Sequence, residues 1–195
     1  MTSTDRIDAA RPAPPSRPLG ARAAEVVAAA REILEQEGPD ALTMRRIADD
    51  LRIKAPSLYK HFPNKAAIEV VLVEEALGQL GGALRAAVDG LAPLDAVRPL
   101  LETYRRTGLA HPALYRLATL GPLRRDELVE GLEDWAGEPF LLVMGEPYLA
   151  QAVWSAAHGM VALELDGRYP PGSDLDRTWD EAAVAFTDAL RARAG

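Results

Sequence analysis

The hydrophobic positions after residue 20 repeat at the spacing of an α-helix. Four apolar side chains fall on one helical face, at three- and four-residue intervals: Val26, Ala30, Ile33 and Leu34. This is the period of an amphipathic helix. The run Gly38-Pro39-Asp40 follows and is typical of a helix end. The pattern predicts a first helix that begins at Ala21 and ends before this turn.

A second helix is predicted over residues 41–51. Thr43 stands where an N-cap residue belongs, directly before a helical run. Ile47 and Leu51 are one turn apart and are expected to face inward. Arg52-Ile53 is then predicted as a tight turn.

A third, short helix is predicted over residues 55–61. Pro56 suits a first helical turn, where its missing N–H costs nothing. Leu58 and Phe62 form the apolar side, and the other side chains are mostly polar or aromatic. So little apolar surface is unusual for a core helix. Two short helices around a tight turn are typical of a helix-turn-helix, whose second helix enters the major groove of DNA.

A longer helix is predicted to follow, with Asn64 as its cap and Ile68, Leu72 and Ala76 on its apolar face. Three glycines then interrupt the pattern, at positions 78, 81 and 82. Each costs about 1 kcal/mol relative to alanine inside a helix. The sequence leaves two interpretations open, a flexible joint between two halves of the protein or the end of the helix.

The remaining sequence predicts further helices separated by glycine- and proline-containing turns. Their ranges are 95–110, 111–120, 124–135, 139–144, 147–165 and 175–193. The predicted turns include Gly137-Glu138-Pro139 and Gly145-Glu146-Pro147. No alternating segment of useful length predicts a strand, and no internal repeat occurs. The predicted fold is all-α.

Composition excludes several classes of protein. The chain has no cysteine, so disulfides and thiolate chemistry are excluded. Its first twenty residues lack the apolar stretch of a secretory signal. The longest uncharged run, residues 147–163, contains polar residues and falls short of a membrane span. We expect a cytoplasmic protein with no membrane partner.

The net charge of −7 is distributed unevenly. Residues 1–65 carry 11 Lys and Arg against 9 Asp and Glu, a balance of +2, whereas residues 66–195 carry 11 against 20, a balance of −9. Contacts to phosphates need local cations and not a basic whole protein. The acidic total therefore does not argue against nucleic-acid binding by the first third of the chain.

Residues 1–19 are predicted to be a disordered arm. They contain four prolines and three arginines and show no hydrophobic period. The arm is interpreted either as a solvated tail or as an arginine arm that reaches into a DNA minor groove.

The polar residues of 43–65 suit contact with DNA. The Thr43 hydroxyl and the Tyr59 phenol can hydrogen-bond phosphates, and the cations Arg45, Arg46, Lys60 and Lys65 are spaced to flank a groove. The outward face of the third helix is expected to meet base edges. Its residues are Lys54, Ala55, Pro56, Ser57, Lys60 and His61.

The runs Leu42-Thr43-Met44-Arg45-Arg46-Ile47-Ala48 and Ser57-Leu58-Tyr59-Lys60-His61-Phe62-Pro63-Asn64-Lys65 resemble the DNA-binding domain of the TetR family of transcriptional regulators. The similarity covers roughly residues 20–67. It implies a three-helix DNA-binding domain at 20–65 and a larger helical domain at 66–195 that dimerises and binds a small-molecule effector. It also implies a repressor that leaves a palindromic operator when the effector binds. By the same resemblance, phosphate contacts fall on Thr43, Tyr59 and Lys65, and base-region contacts fall on residues 54–57.

Two positions depart from the pattern of that family. Its turn usually holds glycine where this chain has Arg52. If the position needs a left-handed backbone, arginine costs about 1 kcal/mol there. Ala55 offers no hydrogen bond at a position often used to read bases, so readout is expected to depend on Lys54, Ser57, Lys60 and DNA shape.

The segment 154–165, which begins Trp-Ser-Ala-Ala-His-Gly, resembles a helix of one TetR C-terminal subclass. The resemblance implies that this helix and the final one pair with their copies across a homodimer. Four small residues suit such close packing: Ala152, Ala156, Ala157 and Gly159. The alternative is that they line the core of a single chain.

Aromatic and other large side chains of the second half are candidates for a mainly apolar ligand pocket. They are Tyr104, Tyr115, Trp135, Phe140, Met144, Trp154 and His158. The alternative is that most of them form the core.

Catalytic chemistry has little support in this sequence. The three histidines lie in different segments and have no carboxylate pair at ligand spacing, so no metal site and no cofactor are predicted. Ser155 and His158 lack an orienting acid nearby, so no catalytic residue is predicted. The rival to a DNA-binding regulator is an all-α ligand-binding or enzymatic bundle in which the helix-turn-helix is only structural.

Overall fold

The computed structural model describes residues 6–120 and 123–194, and these form helices joined by short connections. The helices are α1 (Ala21–Glu37), α2 (Met44–Asp50), α3 (Ala55–Leu58), α4 (Lys65–Val88), α5 (Pro93–Ala110), α6 (Pro112–Thr119), α7 (Leu132–Met144), α8 (Pro147–Leu165) and α9 (Leu175–Ala194). A 3-10 turn covers Arg125–Glu127. No strand occurs in the described ranges, and the all-α prediction is confirmed. None of the described helices is long and apolar enough to cross a membrane.

The chain divides into two compact units, each with its own packing. Among the described residues, the head unit comprises 13–79, 111–120 and 123–133. The bundle unit comprises 6–12, 80–110 and 134–194. These units differ from the predicted ranges 20–65 and 66–195, because one boundary falls inside α4 between Gln79 and Leu80 and α6 belongs to the head unit.

The core of the head unit is built by α1, α2, α3, α4 and α6. Leu34, Ile47, Leu58 and Ile68 are fully buried in it. Burying a side chain of this size contributes roughly 1.5–3 kcal/mol. Leu114 of α6 is also buried in this core, 2% exposed. The three-helix arrangement is therefore completed by a helix that lies more than forty residues further along the chain.

The start of α6 is held by a side chain of α1. The Glu35 carboxylate accepts hydrogen bonds from the backbone N–H of Leu114 at 2.9 Å and of Ala113 at 3.3 Å. Such bonds satisfy amides that have no partner inside the helix. Glu35 therefore acts as the cap that the local residue His111 does not supply.

Helix α4 continues through its three glycines to Val88, so the structure excludes the interpretation in which the helix ends there. A Cβ atom at Gly81 would lie 2.5 Å from Trp135 Cζ3 and 2.7 Å from Ala136 Cα. A Cβ at Gly78 would have no heavy atom within 4 Å. The glycine at 81 therefore permits close approach of α4 and α7 in the bundle unit, whereas the glycine at 78 has no such steric reason.

The predicted turn at residues 137–139 is also wrong, because α7 runs through Pro139. Proline cannot donate a backbone hydrogen bond to the carbonyl four residues earlier, which belongs to Trp135. The buried Arg85 Nη2 donates to that carbonyl at 2.9 Å. Arg85 also pairs with Glu138 and lies over the Trp135 ring, 4.8 Å from its centroid. The Arg85 side chain of α4 thus replaces the backbone hydrogen bond to Trp135 O that is lost at Pro139.

Residues 6–12 were predicted to be disordered, but they make defined contacts in the bundle unit. Ile7 is buried, and its N–H donates to Leu91 O at 2.8 Å. The Ala9 N–H donates to the Asp89 carboxylate at 2.9 Å, and the Trp135 indole donates to Arg11 O at 3.0 Å.

Residues 13–19 were part of the same prediction, and they pack within the head unit. Arg17 donates to both oxygens of Glu74, at 2.7 and 2.9 Å, and to Glu127 O at 2.7 Å. Residues 1–5 of the predicted arm lie outside the described residues.

Candidate nucleic-acid interface

Thr43 caps α2 as predicted. Its Oγ1 accepts a hydrogen bond from the Arg46 N–H at 3.0 Å, and its backbone is extended. Leu42 beside it is 1% exposed. The buried leucine fixes the direction in which the chain enters the helix. The hydroxyl of Thr43 is left at the surface, where its proton can be donated to another group.

The turn after α2 has a left-handed residue at the position where the TetR family, which the sequence resembles, usually has glycine. Arg52 has a φ of 53° and is the one non-glycine residue with positive φ in the described chain. Its N–H donates to Asp49 O at 3.1 Å, and the Ile53 N–H donates to Ala48 O at 2.9 Å. Position 52 therefore does need a left-handed backbone. Arginine there carries a conformational strain of about 1 kcal/mol that glycine would avoid.

Helix α3 is shorter than the predicted 55–61. Regular helix covers Ala55–Leu58, and residues 59–61 form a turn. The N–H groups of His61 and Phe62 both donate to Leu58 O, at 2.9 and 3.1 Å. Leu58 is fully buried and Phe62 is 5% exposed. These two side chains anchor the segment and orient its other side outward.

Most residues predicted to contact DNA lie on the outer surface of this segment. Thr43, Arg45, Lys54, Pro56, Ser57, Tyr59, Lys60 and His61 are exposed, and Arg46, Ala55 and Lys65 are half-buried. Tyr59 is 53% exposed, which is unusual for a large aromatic side chain in a packed unit. The surface is therefore polar, aromatic and cationic, over a core that holds it in place.

The two adjacent arginines of α2 have different surroundings. The Arg46 guanidinium pairs with Glu37 at 2.6 Å and with Asp50 at 3.2 Å. The Glu37 hydrogen bond, followed by that of Asp50, raises the pKa of Arg46 above its usual value. The side chain of Arg45 is 92% exposed, and its ion pair with Asp49 is long, at 3.9 Å. Arg46 thus ties α2 to α1, whereas Arg45 extends into solvent.

The first turn of α4 adds a cation and a cap. The Asn64 side chain accepts from the Ala67 N–H at 2.9 Å, which confirms the predicted cap. Lys65 pairs with Glu69 one turn later at 3.0 Å. The lysine is therefore held near the helix start.

The residues predicted to line a ligand pocket do not form one cluster. Tyr104, Trp135, Phe140 and Met144 are buried in the bundle unit, 1–4% exposed. The rings of Tyr104 and Phe140 pack edge to face at 5.7 Å. These contacts fit the core interpretation.

The other three predicted pocket residues lie elsewhere. Tyr115 is buried in the head unit. Trp154 is 47% exposed and stacks on His158 with 6.1 Å between ring centroids. Trp154 therefore lies at the surface of the chain, not in an enclosed pocket.

The small residues predicted at a dimer interface divide between two sides of α8. Ala152 is exposed, and Ala156 and Gly159 are half-buried. Ala157 is fully buried in the bundle unit, so it belongs to the chain's own core. Large apolar side chains are exposed on the same helix, among them Tyr148 (79%) and Leu163 (44%).

A cleft of about 470 Å³ opens in the head unit, and sequence reasoning missed it. It lies beside residues 13–19 and the first half of α4. Its walls come from segments that are remote along the chain, so no local pattern signals it.

Known families match both parts of the chain. Residues 26–69 match the model described as bacterial regulatory proteins of the tetR family, and residues 97–186 match the tetracyclin repressor-like C-terminal domain. An uncharacterized HTH-type transcriptional regulator of Mycobacterium tuberculosis is 32% identical over 196 residues, which cover 92% of this chain and 84% of that protein. The chain belongs to the tetR family and is a DNA-binding transcriptional regulator.

Solved structures share the fold. A protein of unknown function from Rhodococcus sp. RHA1 superimposes with a TM-score of 0.76 and 22% identity, over 88% of this chain and 96% of that one. A TetR variant from Acinetobacter baumannii AYE, solved in complex with minocycline, gives a TM-score of 0.63 and 20% identity, over 87% and 96%. At these identities the likeness establishes the fold alone.

Proposed function

We propose that the surface formed by residues 43–65 binds operator DNA, and that binding of a small molecule elsewhere in the chain releases it. The observation that supports this best is the division of the segment into two sides. Ile47, Leu58 and Phe62 are buried, whereas Arg45 and Tyr59 project outward. An exposed tyrosine next to exposed cations is the set of groups that contacts with phosphates and base edges use.

Phosphate contacts are assigned to the exposed hydrogen-bonding and cationic groups. Arg45 and Tyr59 are exposed, Lys65 is half-buried beside Glu69, and the Thr43 hydroxyl can donate while its oxygen holds the helix cap. Arg46 is not assigned a phosphate contact, because its guanidinium is already bound by Glu37 and Asp50. Its proposed role is to hold α2 in position against α1.

Base readout is assigned to the exposed start of α3 and the turn after it. Lys54 and Ser57 carry hydrogen-bonding groups that base edges can meet, with Lys60 and His61 following. Pro56 and the half-buried Ala55 offer apolar contact only. Part of the preference therefore comes from DNA shape.

The regulator is proposed to act in the cytoplasm as a homodimer on a palindromic operator, because a two-fold protein reads two half-sites. The exposed apolar residues of α8 support that assembly. The effector is proposed to favour a dimer whose two α3 helices no longer match the half-sites.

Fluorescence anisotropy with DNA flanking the protein's own gene tests the residue assignments. Tyr59→Phe and Lys65→Ala should weaken binding to that DNA and to unrelated DNA by the same factor. Ser57→Ala should change the ratio between them, since a base contact contributes roughly 1–3 kcal/mol of discrimination. Arg191→Ala removes an exposed cation near the end of α9, outside the head unit, and serves as the control. Unchanged affinity of the Lys65→Ala and Tyr59→Phe proteins would refute the assignment. It would favour the alternative in which the helix-turn-helix is only structural.

A further inference from the structure

The cleft of the head unit has the size and lining of a small-molecule site. Its volume, about 470 Å³, lies within the range of ligand pockets. The apolar lining includes Pro14, Pro15, Leu19, Val71, Val129 and Leu132. Four charged side chains also line it, namely Arg17, Arg31, Glu74 and Glu75. An apolar cleft with a few charged groups selects ligands by the charge that these groups leave uncompensated.

The first charged pair in the cleft is fully matched. Arg17 binds both oxygens of Glu74, and Glu74 also accepts from the Val129 N–H at 2.8 Å. Glu74 is only 8% exposed. This two-point pair holds residues 13–19 against α4 and forms one wall of the cleft. It leaves no net charge for a ligand.

The second pair is poorly matched. Arg31 Nη1 lies 3.8 Å from the nearer Glu75 oxygen, and Arg31 Nη2 donates to Gln79 at 3.2 Å. Burial raises the pKa of the Glu75 carboxyl, and the Arg31 charge only partly opposes that effect. Arg31 thus has a hydrogen-bond acceptor in Gln79, whereas the Glu75 carboxylate accepts no hydrogen bond among the described contacts and has only the 3.8 Å ion pair.

We propose that this cleft binds a small molecule with an apolar body and one protonated amine, and that Glu75 is the counter-ion of the amine. The apolar body replaces water along Pro15, Val71 and Leu132. The ammonium group donates to the carboxylate that the 3.8 Å ion pair leaves short of donors. That this molecule is also the effector rests on the proposed function.

Gly78 supplies a variant that closes the cleft without disturbing the fold. It lines the cleft, and a Cβ there meets no heavy atom within 4 Å. A leucine at this position should fill the cleft and also favour the helix, since both leucine and alanine are better helix formers than glycine. Loss of binding in Gly78→Leu therefore cannot be attributed to unfolding if its melting temperature is at or above that of the wild type.

Isothermal titration calorimetry with three matched probes tests the proposal: 4-biphenylmethylamine, 4-biphenylmethanol and 4-biphenylcarboxylate. The wild type should bind the amine at least about tenfold more tightly than the alcohol, and the carboxylate most weakly, since a hydrogen bond between two charged groups is stronger than one to a neutral donor. Glu75→Gln should remove the preference for the amine. Glu32→Gln, which changes an exposed residue of α1, should keep it, as should Gly78→Ala. Gly78→Leu should bind none of the three.

Three results would overturn the site. They are no binding of any probe to the wild type, equal or better binding of the alcohol or carboxylate, and an unchanged amine preference in Glu75→Gln. The effector role is tested separately, by operator affinity with the amine at saturation. A saturated cleft that leaves operator affinity unchanged would refute the effector role and leave the binding site standing. Absence of DNA binding without any probe would refute the proposed function instead.

Discussion

The two glycines Gly78 and Gly81 of α4 should respond in opposite directions to the same substitution. Both lie inside the helix, three residues apart, so alanine gives each the same gain in helix propensity, about 1 kcal/mol. At Gly78 the added methyl has no neighbour within 4 Å. We therefore expect Gly78→Ala to raise the free energy of unfolding by about 1 kcal/mol.

At Gly81 the added methyl would overlap α7. Its Cβ would lie 2.5 Å from a ring carbon of Trp135 and 2.7 Å from Ala136 Cα, and carbon atoms pack best at about 3.5–4.0 Å. The nearest backbone atom cannot turn away as a flexible side chain can. Overpacking of this kind costs roughly 1–3 kcal/mol. After the propensity gain, Gly81→Ala should lose about 1 kcal/mol.

Urea denaturation followed by circular dichroism at 222 nm measures both variants against the wild type. The two should differ by about 2 kcal/mol, and a chain of this size shifts its melting temperature by roughly 2–4 °C per kcal/mol. If Gly81→Ala is as stable as Gly78→Ala, the close approach of α4 to Trp135 is not present in solution. That result would remove the steric explanation for glycine at this position.

Three further predictions concern the turn, the cap and the buried arginine. Arg52→Gly should raise the free energy of unfolding by up to about 1 kcal/mol, because glycine tolerates positive φ. Arg52→Val should lower it by at least as much, because a β-branched residue tolerates positive φ least. Urea denaturation measures both variants, and the opposite order of stability would exclude a left-handed turn. Thr43→Ala should lose about 1 kcal/mol from the lost cap, whereas Thr43→Ser should keep it; equal thermal stability of the two variants would refute the cap. The hydrogen bond from Arg85 lowers the pKa of Glu138, although desolvation opposes this effect. The ionised Glu138 therefore stabilises the fold at pH values above its unfolded pKa, which is near 4.5. This contribution disappears as the pH falls through the lower pKa of the folded state. The stability deficit of Glu138→Gln should therefore shrink below about pH 4.5, unlike that of the exposed control Glu32→Gln, and a deficit that is constant with pH would contradict the ion pair.

Much of the head unit could be predicted because its signals are local. The spacing of apolar residues placed α1, and a threonine and an asparagine at helix starts marked two caps that the structure confirms. The left-handed backbone at Arg52 could also be predicted, because the family that the sequence resembles usually has glycine at this position. Such features depend on a few consecutive residues.

The errors arise where a remote residue decides the outcome. Pro139 is tolerated inside a helix because Arg85, more than fifty residues earlier in the chain, donates to the Trp135 carbonyl, to which a proline cannot donate. Position 81 needs a glycine because the Trp135 ring and the Ala136 backbone lie against it. Residues 6–19 lack any hydrophobic period, yet they are held by ion pairs and hydrogen bonds to distant helices. The choice between a ligand pocket and a core could not be made from the sequence for a related reason, since aromatic residues in a core and in a cavity give the same sequence pattern.

The salt dependence of DNA binding by Arg45→Ala tests the DNA-binding assignment most directly. Arg45 is 92% exposed, so its loss should leave the melting temperature unchanged. Anisotropy titrations from 50 to 300 mM KCl, on DNA flanking the protein's own gene, should show log affinity falling linearly with log salt for the wild type. The slope for Arg45→Ala should be smaller by about 2, as expected when each protomer of the dimer loses one phosphate contact. An affinity that is insensitive to salt, or identical slopes for the two proteins, would contradict the account.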